Sequence, residues 1–304
     1  MNVLLPLALA ISGAKAWGTV GHETVAYLAQ RFVATETKTW AQGILNDTST
    51  SYLANVATWA DSFRNTKAGA YSAPLHYIDA EDNPPDTCNV NFSRDCGSDA
   101  CVVGAIANYT QRVSASPNGD KYQYTDALRF IIHFVGDVAQ PLHDEAIDKG
   151  GNNIAVMFQG SSTNLHHVWD TSIVDLLANT SDSSSSLVGA SKWADMLEKE
   201  IRSGKFESEA ADWLEGLDIT DAQGTALSWA SDANKLNCEV VFTGEPDSMT
   251  NTELYPGYYE KAAPAVELQI AKAGYRLAAW LDAIVKQKAA KAYPVRMGMS
   301  KLHV

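Results

Sequence analysis

A chain of 304 residues with 46% hydrophobic and 19% charged side chains is long enough to bury a substantial core and too apolar to stay disordered. Its formal charge of −13, from 36 acidic and 23 basic residues, argues against a protein that grips nucleic acid through a broad basic face, though not against one that draws positive charge from a bound ion. No apolar run reaches membrane-spanning length, and no internal repeat is visible.

The chain opens on MNVLLPLALAISGAKA. An apolar stretch from Val3 to Ile11, followed by Ala14-Lys15-Ala16, reads as a secretory signal peptide over residues 1–16, although no Lys or Arg precedes the stretch. A buried first helix fits less well, because the run is short and ends in small residues against Trp17-Gly18. Cleavage after Ala16 makes Trp17 the mature N-terminus. Next, Gly21–Ala34 puts Val25, Leu28, Ala29 and Phe32 on one helical face. Ser51–Asp61 (SYLANVATWAD) is apolar enough for a second helix. Asn83–Ser98 is irregular, rich in Pro, Asp and Cys. Asp99–Val113 and Tyr124–Ala139 are helical, the latter stopping before Pro141. Asn153–Phe158 alternates Ile154, Val156 and Phe158 like one arm of a hairpin, with loops at Gly160–Thr163 and Ser183–Ser186. Helices follow at Leu165–Ala178, Ser186–Ser203 and Gly224–Val241, then a long amphipathic one at Pro264–Gln287. The expectation is a single large all-α domain over residues 17–287, with one short β-hairpin and a polar tail at 288–304.

Four N-x-[ST] sequons, at Asn46, Asn91, Asn108 and Asn179, read as surface glycosylation sites of a secreted chain. The cysteines are Cys88, Cys96, Cys101 and Cys238. An even count in an oxidising compartment suggests two disulfides, with all three pairings open. A zinc site made of the four thiolates is disfavoured, because the spacing lacks C-x2-C pairs.

One apolar helix holds groups that resist burial: IIHFVGDVAQPLH carries His133, Asp137 and His143. His133 and Asp137 are four apart, which on a helix brings their Cβ atoms to ~5–6 Å, close enough to share an ion. NLHHVWD repeats that spacing with His166 and Asp170, and the bend at Pro141 can carry His143 past the first pair. His167 points ~100° away from His166 and is set aside. A lone His-x3-Asp pair is more often a hydrogen-bonded surface pair. What changes the reading is accumulation: His22 in WGTVGHE, Asp61 in VATWAD and His76 in PLHYIDAED extend the donor set. A free Trp17 amine, with pKa ~8, can chelate a metal together with its own carbonyl oxygen. Zinc accepts such N and O ligands readily.

The segments WGTVGHETVAYLAQRFV, SYLANVATWAD, HYIDAEDNPP, HFVGDVAQPLHDE, GGNN and NLHHVWDT resemble the fungal zinc-dependent single-strand-specific nucleases of the S1/P1 type, relatives of bacterial zinc phospholipases C. The resemblance runs from Trp17 to about Gln287. It implies an all-α fold with three zinc ions in a cleft. The first would be held by Asp61, His76, His133 and Asp137. Asp137 would bridge to a second, held also by His22 and the Trp17 amine and carbonyl. The third would take His143, His166 and Asp170. The same resemblance implies disulfides Cys88–Cys238 and Cys96–Cys101.

It implies chemistry as well. Asp61 would accept a hydrogen bond from the attacking water, and Arg64 would clamp a phosphate oxygen. Tyr77, where relatives often have Phe, would stack a base whose edge bonds Asp79. Asn152 in KGGNN would contact substrate. The implied protein is a secreted monomeric hydrolase, not membrane-bound, that cuts single-stranded DNA and RNA to 5′-phosphate ends. It would also act on nucleotides as a 3′-nucleotidase. The nearest rival is a zinc phospholipase C, which needs exposed apolar residues around its mouth. A secreted zinc-binding protein without catalysis is the other, and it would need no Arg64, Tyr77 or Asp79.

Overall fold

Helix-period apolar patterning through most of the chain produces a structure in which nearly all regular elements are helices. The computed structural model describes residues 17–115, 121–180 and 186–292; the predicted signal peptide, most of the serine loop and the tail beyond Ala292 lie outside the described residues. In chain order the elements are α1 (Thr19–Phe32), α2 (Thr35–Leu45), α3 (Trp59–Phe63), α4 (Phe92–Asp95), α5 (Val102–Ser114) and α6 (Lys121–Asp137). The hairpin β1 (Ala155–Phe158) and β2 (Ser161–Asn164) follows, then α7 (Leu165–His167), a π turn over Val168–Ser172 and α8 (Ile173–Leu177). The last elements are α9 (Ser186–Ser203), α10 (Ala222–Leu236), a π turn over Asn237–Val241 and α11 (Gly257–Ala292).

α1 packs against both α9 and α11, burying Val25, Leu28 and Ala29, while α5 packs against α6 and α10. The core is one continuous cluster in which Trp17, Trp169, Trp193 and Trp280 are fully buried. Burying side chains of that size removes 150–250 Å² each from water, the main favourable term holding the layers together. None of the helices is long and apolar enough to cross a membrane, among the described residues.

The elements depart from the sequence reading in several places, and one is α4, a helical turn inside the Asn83–Ser98 segment read as irregular. The Ser51–Asp61 helix is broken: a 3-10 turn at Ala54–Val56 and α3 flank Thr58, whose φ of −98° and ψ of 5° leave the helical region. The break has a use, since it leaves the Ala57 carbonyl to accept a hydrogen bond from His133 Nδ1 at 2.6 Å. Helix α2 has no counterpart in the sequence reading, although Trp40, Ala41, Ile44 and Leu45 form a helical stripe that packs on the core. Pro264 lies inside α11 rather than at its start; the helix loses one backbone bond there but buries Ala262, Val266 and Ile270 on either side. It also continues to Ala292, five residues into the predicted tail. Finally, Ser161–Thr163 is strand, not loop. It pairs antiparallel from Ala155↔Asn164 to Phe158↔Ser161 across Gln159 and Gly160, whose φ of 52° and 75° suit a two-residue hairpin turn.

The disulfides are Cys88–Cys238 and Cys96–Cys101, the pairing the resemblance implied. The second ties Cys96, the C-cap of α4, to Cys101, the N-cap of α5. The first joins residues 150 apart, and closing so long a loop constrains the unfolded chain most. Replacing both Cys88 and Cys238 by Ser is expected to cost about 4–5 kcal/mol in the chain-entropy model, read as a lower denaturant midpoint. An unchanged midpoint would show that the crosslink adds no stability.

Candidate metal centre

Six separate pieces of chain bring their polar residues to one place. α1 supplies His22, α3 Asp61, and the 3-10 turn Ala70–His76 ends in His76. The last turn of α6 carries His133 and Asp137, the 3-10 turn Pro141–Asp144 carries His143, and the α7–π run carries His166 and Asp170. All eight residues are buried, none more than 8% exposed. They form three groups whose ligand atoms lie within 4.8 Å of one another: His22, Asp61 and His133; His76, His133 and Asp137; His143, His166 and Asp170.

Asp137 sits between the first two groups. Its Oδ1 is 3.2 Å from His22 Nε2, while its Oδ2 is 3.0 Å from His76 Nδ1 and 3.4 Å from His133 Nε2. The His22 and His133 rings stack at 3.9 Å. That closeness depends on Gly136, where an added Cβ would come within 2.9 Å of His22 Nδ1. Trp17, fully buried, lies against the same glycine. In the third group His166 Nε2 is 3.0 Å and His143 Nε2 3.9 Å from the Asp170 carboxylate.

Backbone carbonyls decide which ring nitrogens face inward. His133 Nδ1 donates to the Ala57 carbonyl at 2.6 Å, His143 Nδ1 to the His76 carbonyl at 2.7 Å, and His166 Nδ1 to the Gly150 carbonyl at 2.6 Å. A carbonyl only accepts, so each of those rings carries its proton on Nδ1 and turns the Nε2 lone pair to the group. His143 Nε2 makes no hydrogen bond, and the close pairs His22 Nε2–Asp137 Oδ1 and His166 Nε2–Asp170 Oδ2 are not aligned as hydrogen bonds. Buried Nε2 atoms of His22, His76, His143 and His166 left without partners are costly in a dry interior, and bound cations would satisfy them. The donor set, imidazole nitrogen with carboxylate oxygen, suits a divalent metal such as zinc.

Electrostatics agree. Burial pushes the His22 imidazole down to about 4 and that of His143 down to about 3, and it lowers His76 and His133 as well. These rings are therefore neutral at ordinary pH, the form that ligates. For His166 burial also works against the charge, but the nearby Asp170 carboxylate and the Nδ1 hydrogen bond to the Gly150 carbonyl outweigh it and hold that imidazole up. Burial raises the Asp137 carboxyl well above the usual carboxylate range. A carboxylate so placed is stable as an anion only beside positive charge.

Comparison with known proteins gives the same picture. The S1/P1 Nuclease family profile matches residues 17–286. The chain is 49% identical over 271 residues to Nuclease S1 of Aspergillus oryzae, covering 89% of this chain and 92% of that protein. It is 50% identical over 275 residues to Nuclease P1 of Penicillium citrinum, covering 90% of this chain and all of that protein. Against Endonuclease 4 of Arabidopsis thaliana the identity is 33% over 300 residues, 94% of each chain.

The chain belongs to the S1/P1 nuclease family.

Within this S1/P1 chain, the other residues singled out from sequence fall around the groups. Arg64 Nη2 lies 3.0 Å from Asp61 Oδ1. Tyr77 follows His76 and is 38% exposed; partial burial and the neighbouring Asp79 carboxylate raise its phenol. The Tyr77 carbonyl accepts from Val102 N and the Ile78 N–H donates to the His143 carbonyl, which fixes this strip of backbone between α5 and the third group. Asn152 stands apart from these contacts, its amide donating to the Lys149 carbonyl at 2.8 Å. It belongs to a turn with positive φ from Asp148 through Gly151. That turn supplies the Gly150 carbonyl to His166, and a Cβ on Gly150 would come within 2.3 Å of the Leu142 carbonyl oxygen.

Sequence reasoning missed the layer behind the donors. Gln140, fully buried, donates to Asp170 Oδ1 at 2.6 Å and accepts from Leu142 N at 2.6 Å, fixing both the carboxylate and the turn that carries His143. Gly18 N donates to the Asp170 carbonyl at 2.7 Å, tying the Trp17–Gly18 segment to the third group. Gln140 was legible only as the residue before Pro141, and the carbonyl partners carry no side-chain signal.

Proposed function

We propose that the chain is a secreted zinc-dependent endonuclease that hydrolyses phosphodiester bonds of single-stranded DNA and RNA to products with 5′-phosphate ends, with nucleoside 3′-monophosphates as further substrates. The observation that carries this reading is the meeting of three His/Asp groups with Arg64 set against Asp61. Asp61, His76, His133 and Asp137 would hold one zinc, and Asp137, His22 and the Trp17 amine and carbonyl a second. His143, His166 and Asp170 would hold a third. Zinc in such a site supplies Lewis acidity, stabilising developing negative charge and lowering the pKa of water toward ~7.

The side chains do the rest. Asp61 accepts a hydrogen bond from the attacking water and aims it at phosphorus. Arg64 pairs with a non-bridging phosphate oxygen and offsets charge that grows in the transition state. Tyr77 offers its exposed face to a base, worth about 1–3 kcal/mol by stacking, and Asp79 accepts from that base's edge. Asn152 steadies the substrate from the turn that holds His166. A base must leave its own stack to reach Tyr77, and a duplex spends a few kcal/mol on that, so single strands are preferred. Stacking accepts any base, so sequence preference is weak. The catalytic unit is residues 17–287, released from its leader at Ala16, and it acts as a monomer. The four sequon asparagines are all exposed, which suits glycosylation during export.

The phospholipase reading needs an apolar mouth, whereas the large exposed side chains on the turn that delivers His76 are Tyr71 and Tyr77. Rates on single-stranded DNA, duplex DNA and a phosphatidylcholine emulsion, with and without chelator, test the proposal. Fast single-strand cleavage abolished by chelator is expected. Lipid hydrolysis without nuclease activity would overturn it, as would no activity on any substrate.

A further inference from the structure

The wall beside Asp61 carries a second set of aromatic and basic side chains that the reading above leaves unused. The 3-10 turn that ends in His76 has Tyr71 near its start, 58% exposed. At about 2 Å rise per residue, the five steps between them place Tyr71 about 10 Å from His76 along the turn. Tyr71 stands on a rigid aromatic base. Its ring meets Phe63 edge-on at 6.3 Å, and its hydroxyl is 3.4 Å from that of Tyr109. Phe63 stacks on Trp59 at 4.5 Å and Tyr109 on Phe130 at 4.4 Å. Phe130 in turn stacks on Phe134, which lies edge-on to His76 at 5.1 Å.

Cations frame this base. The Arg112 guanidinium lies over the Tyr109 ring at 5.1 Å, and that of Arg129 over Trp59, also at 5.1 Å. Lys67 is exposed on the loop that joins α3 to the turn. One carboxylate, Asp126, pairs with Arg129 at 3.2 Å and offsets part of that charge. Two guanidiniums lying on the rings that support an exposed tyrosine stand out in a chain of net charge −13. It has the composition that a single strand uses: a flat ring for a base and cations for the flanking phosphates.

We propose that Tyr71, flanked by Arg112 and Arg129, is a second base-stacking subsite that holds the single strand outside the cutting position, so that affinity grows with strand length. The proposal rests on the nuclease reading above and adds a place where substrates longer than a dinucleotide are held.

Steady-state kinetics on a mixed-sequence single-stranded oligonucleotide and on a dinucleotide test it, for the wild type, Tyr71→Ala and Tyr71→Phe. Tyr71→Ala is expected to raise KM for the oligonucleotide about tenfold with kcat unchanged, while the dinucleotide, too short to reach the subsite, keeps its wild-type constants. Tyr71→Phe keeps the ring and should match wild type on both. Arg112→Gln should raise the oligonucleotide KM and flatten its salt dependence by about 0.7 in the log–log slope, one phosphate contact. A wild-type KM for the oligonucleotide in Tyr71→Ala overturns the subsite. So does an equal loss on both substrates, or a lowered thermal midpoint that accounts for the loss, since either marks a structural role. A wild-type protein inert on both substrates overturns the nuclease reading, and the subsite with it.

Discussion

Asp61→Asn is expected to lower turnover on single-stranded DNA by about three orders of magnitude while most of the bound metal remains. The carboxylate lies at the edge of two donor groups, 3.8 Å from His133 Nε2 and 4.0 Å from His76 Nδ1, and touches Arg64 at 3.0 Å. Asn keeps the shape and one carbonyl oxygen, so a metal retains His76, His133 and Asp137. What Asn cannot do is accept the proton of the attacking water, and positioned proton transfer contributes about 10²–10⁴ in rate. Metal content by mass spectrometry and kcat on one preparation check both halves. Wild-type turnover in the variant would remove Asp61 from the chemistry. Complete loss of metal would make it a ligand before anything else.

Asp137→Asn should do more damage, and of another kind. This carboxylate faces His22 with one oxygen and His76 with the other, at 3.2 and 3.0 Å, and it is fully buried. Removing its charge weakens two groups together, so the expected result is metal retained chiefly at His143, His166 and Asp170. Activity should fall by more than about a thousandfold, because charge stabilisation of the reacting phosphate is lost along with proton transfer. The metal-free fold tells a different story. Burial raises the Asp137 carboxyl, so without a cation the anion is a burden that a neutral amide lacks. After exhaustive chelation the variant should therefore unfold no earlier than the chelated wild type. Full metal content in Asp137→Asn, or an apo form clearly weaker than apo wild type, would contradict the bridging role.

The His-x3-Asp pairs were legible because a helix turns spacing into geometry: residues four apart share a face, and His133 with Asp137 does share one. His22, Asp61 and His76 were legible as isolated polar residues in apolar runs, and the family resemblance joined them. Their supports were not. Ala57, His76 and Gly150 act through backbone carbonyls, and any residue has one. The break at Thr58 that leaves the Ala57 carbonyl to His133 is a tertiary choice against a local pattern that reads as continuous helix. Helix α2 was missed although Trp40, Ala41, Ile44 and Leu45 do repeat at helical spacing. Strand β2, Ser-Ser-Thr-Asn, is set by its partner β1 and by the hairpin turn, not by its own side chains. Tyr71 lay between the quoted motifs, and only its exposure and its neighbours distinguish it from a core aromatic.

The most direct measurement is the zinc content of purified protein that begins at Trp17, with activity and thermal midpoint recorded before demetallation, after it and on restoring zinc. Three zinc ions per chain are expected, with cleavage lost and the midpoint lowered in the stripped protein and both recovered on reloading. Active protein that contains no zinc, or hydrolysis that continues unchanged after the metal is gone, would contradict the assignment of these buried imidazoles and carboxylates to metal.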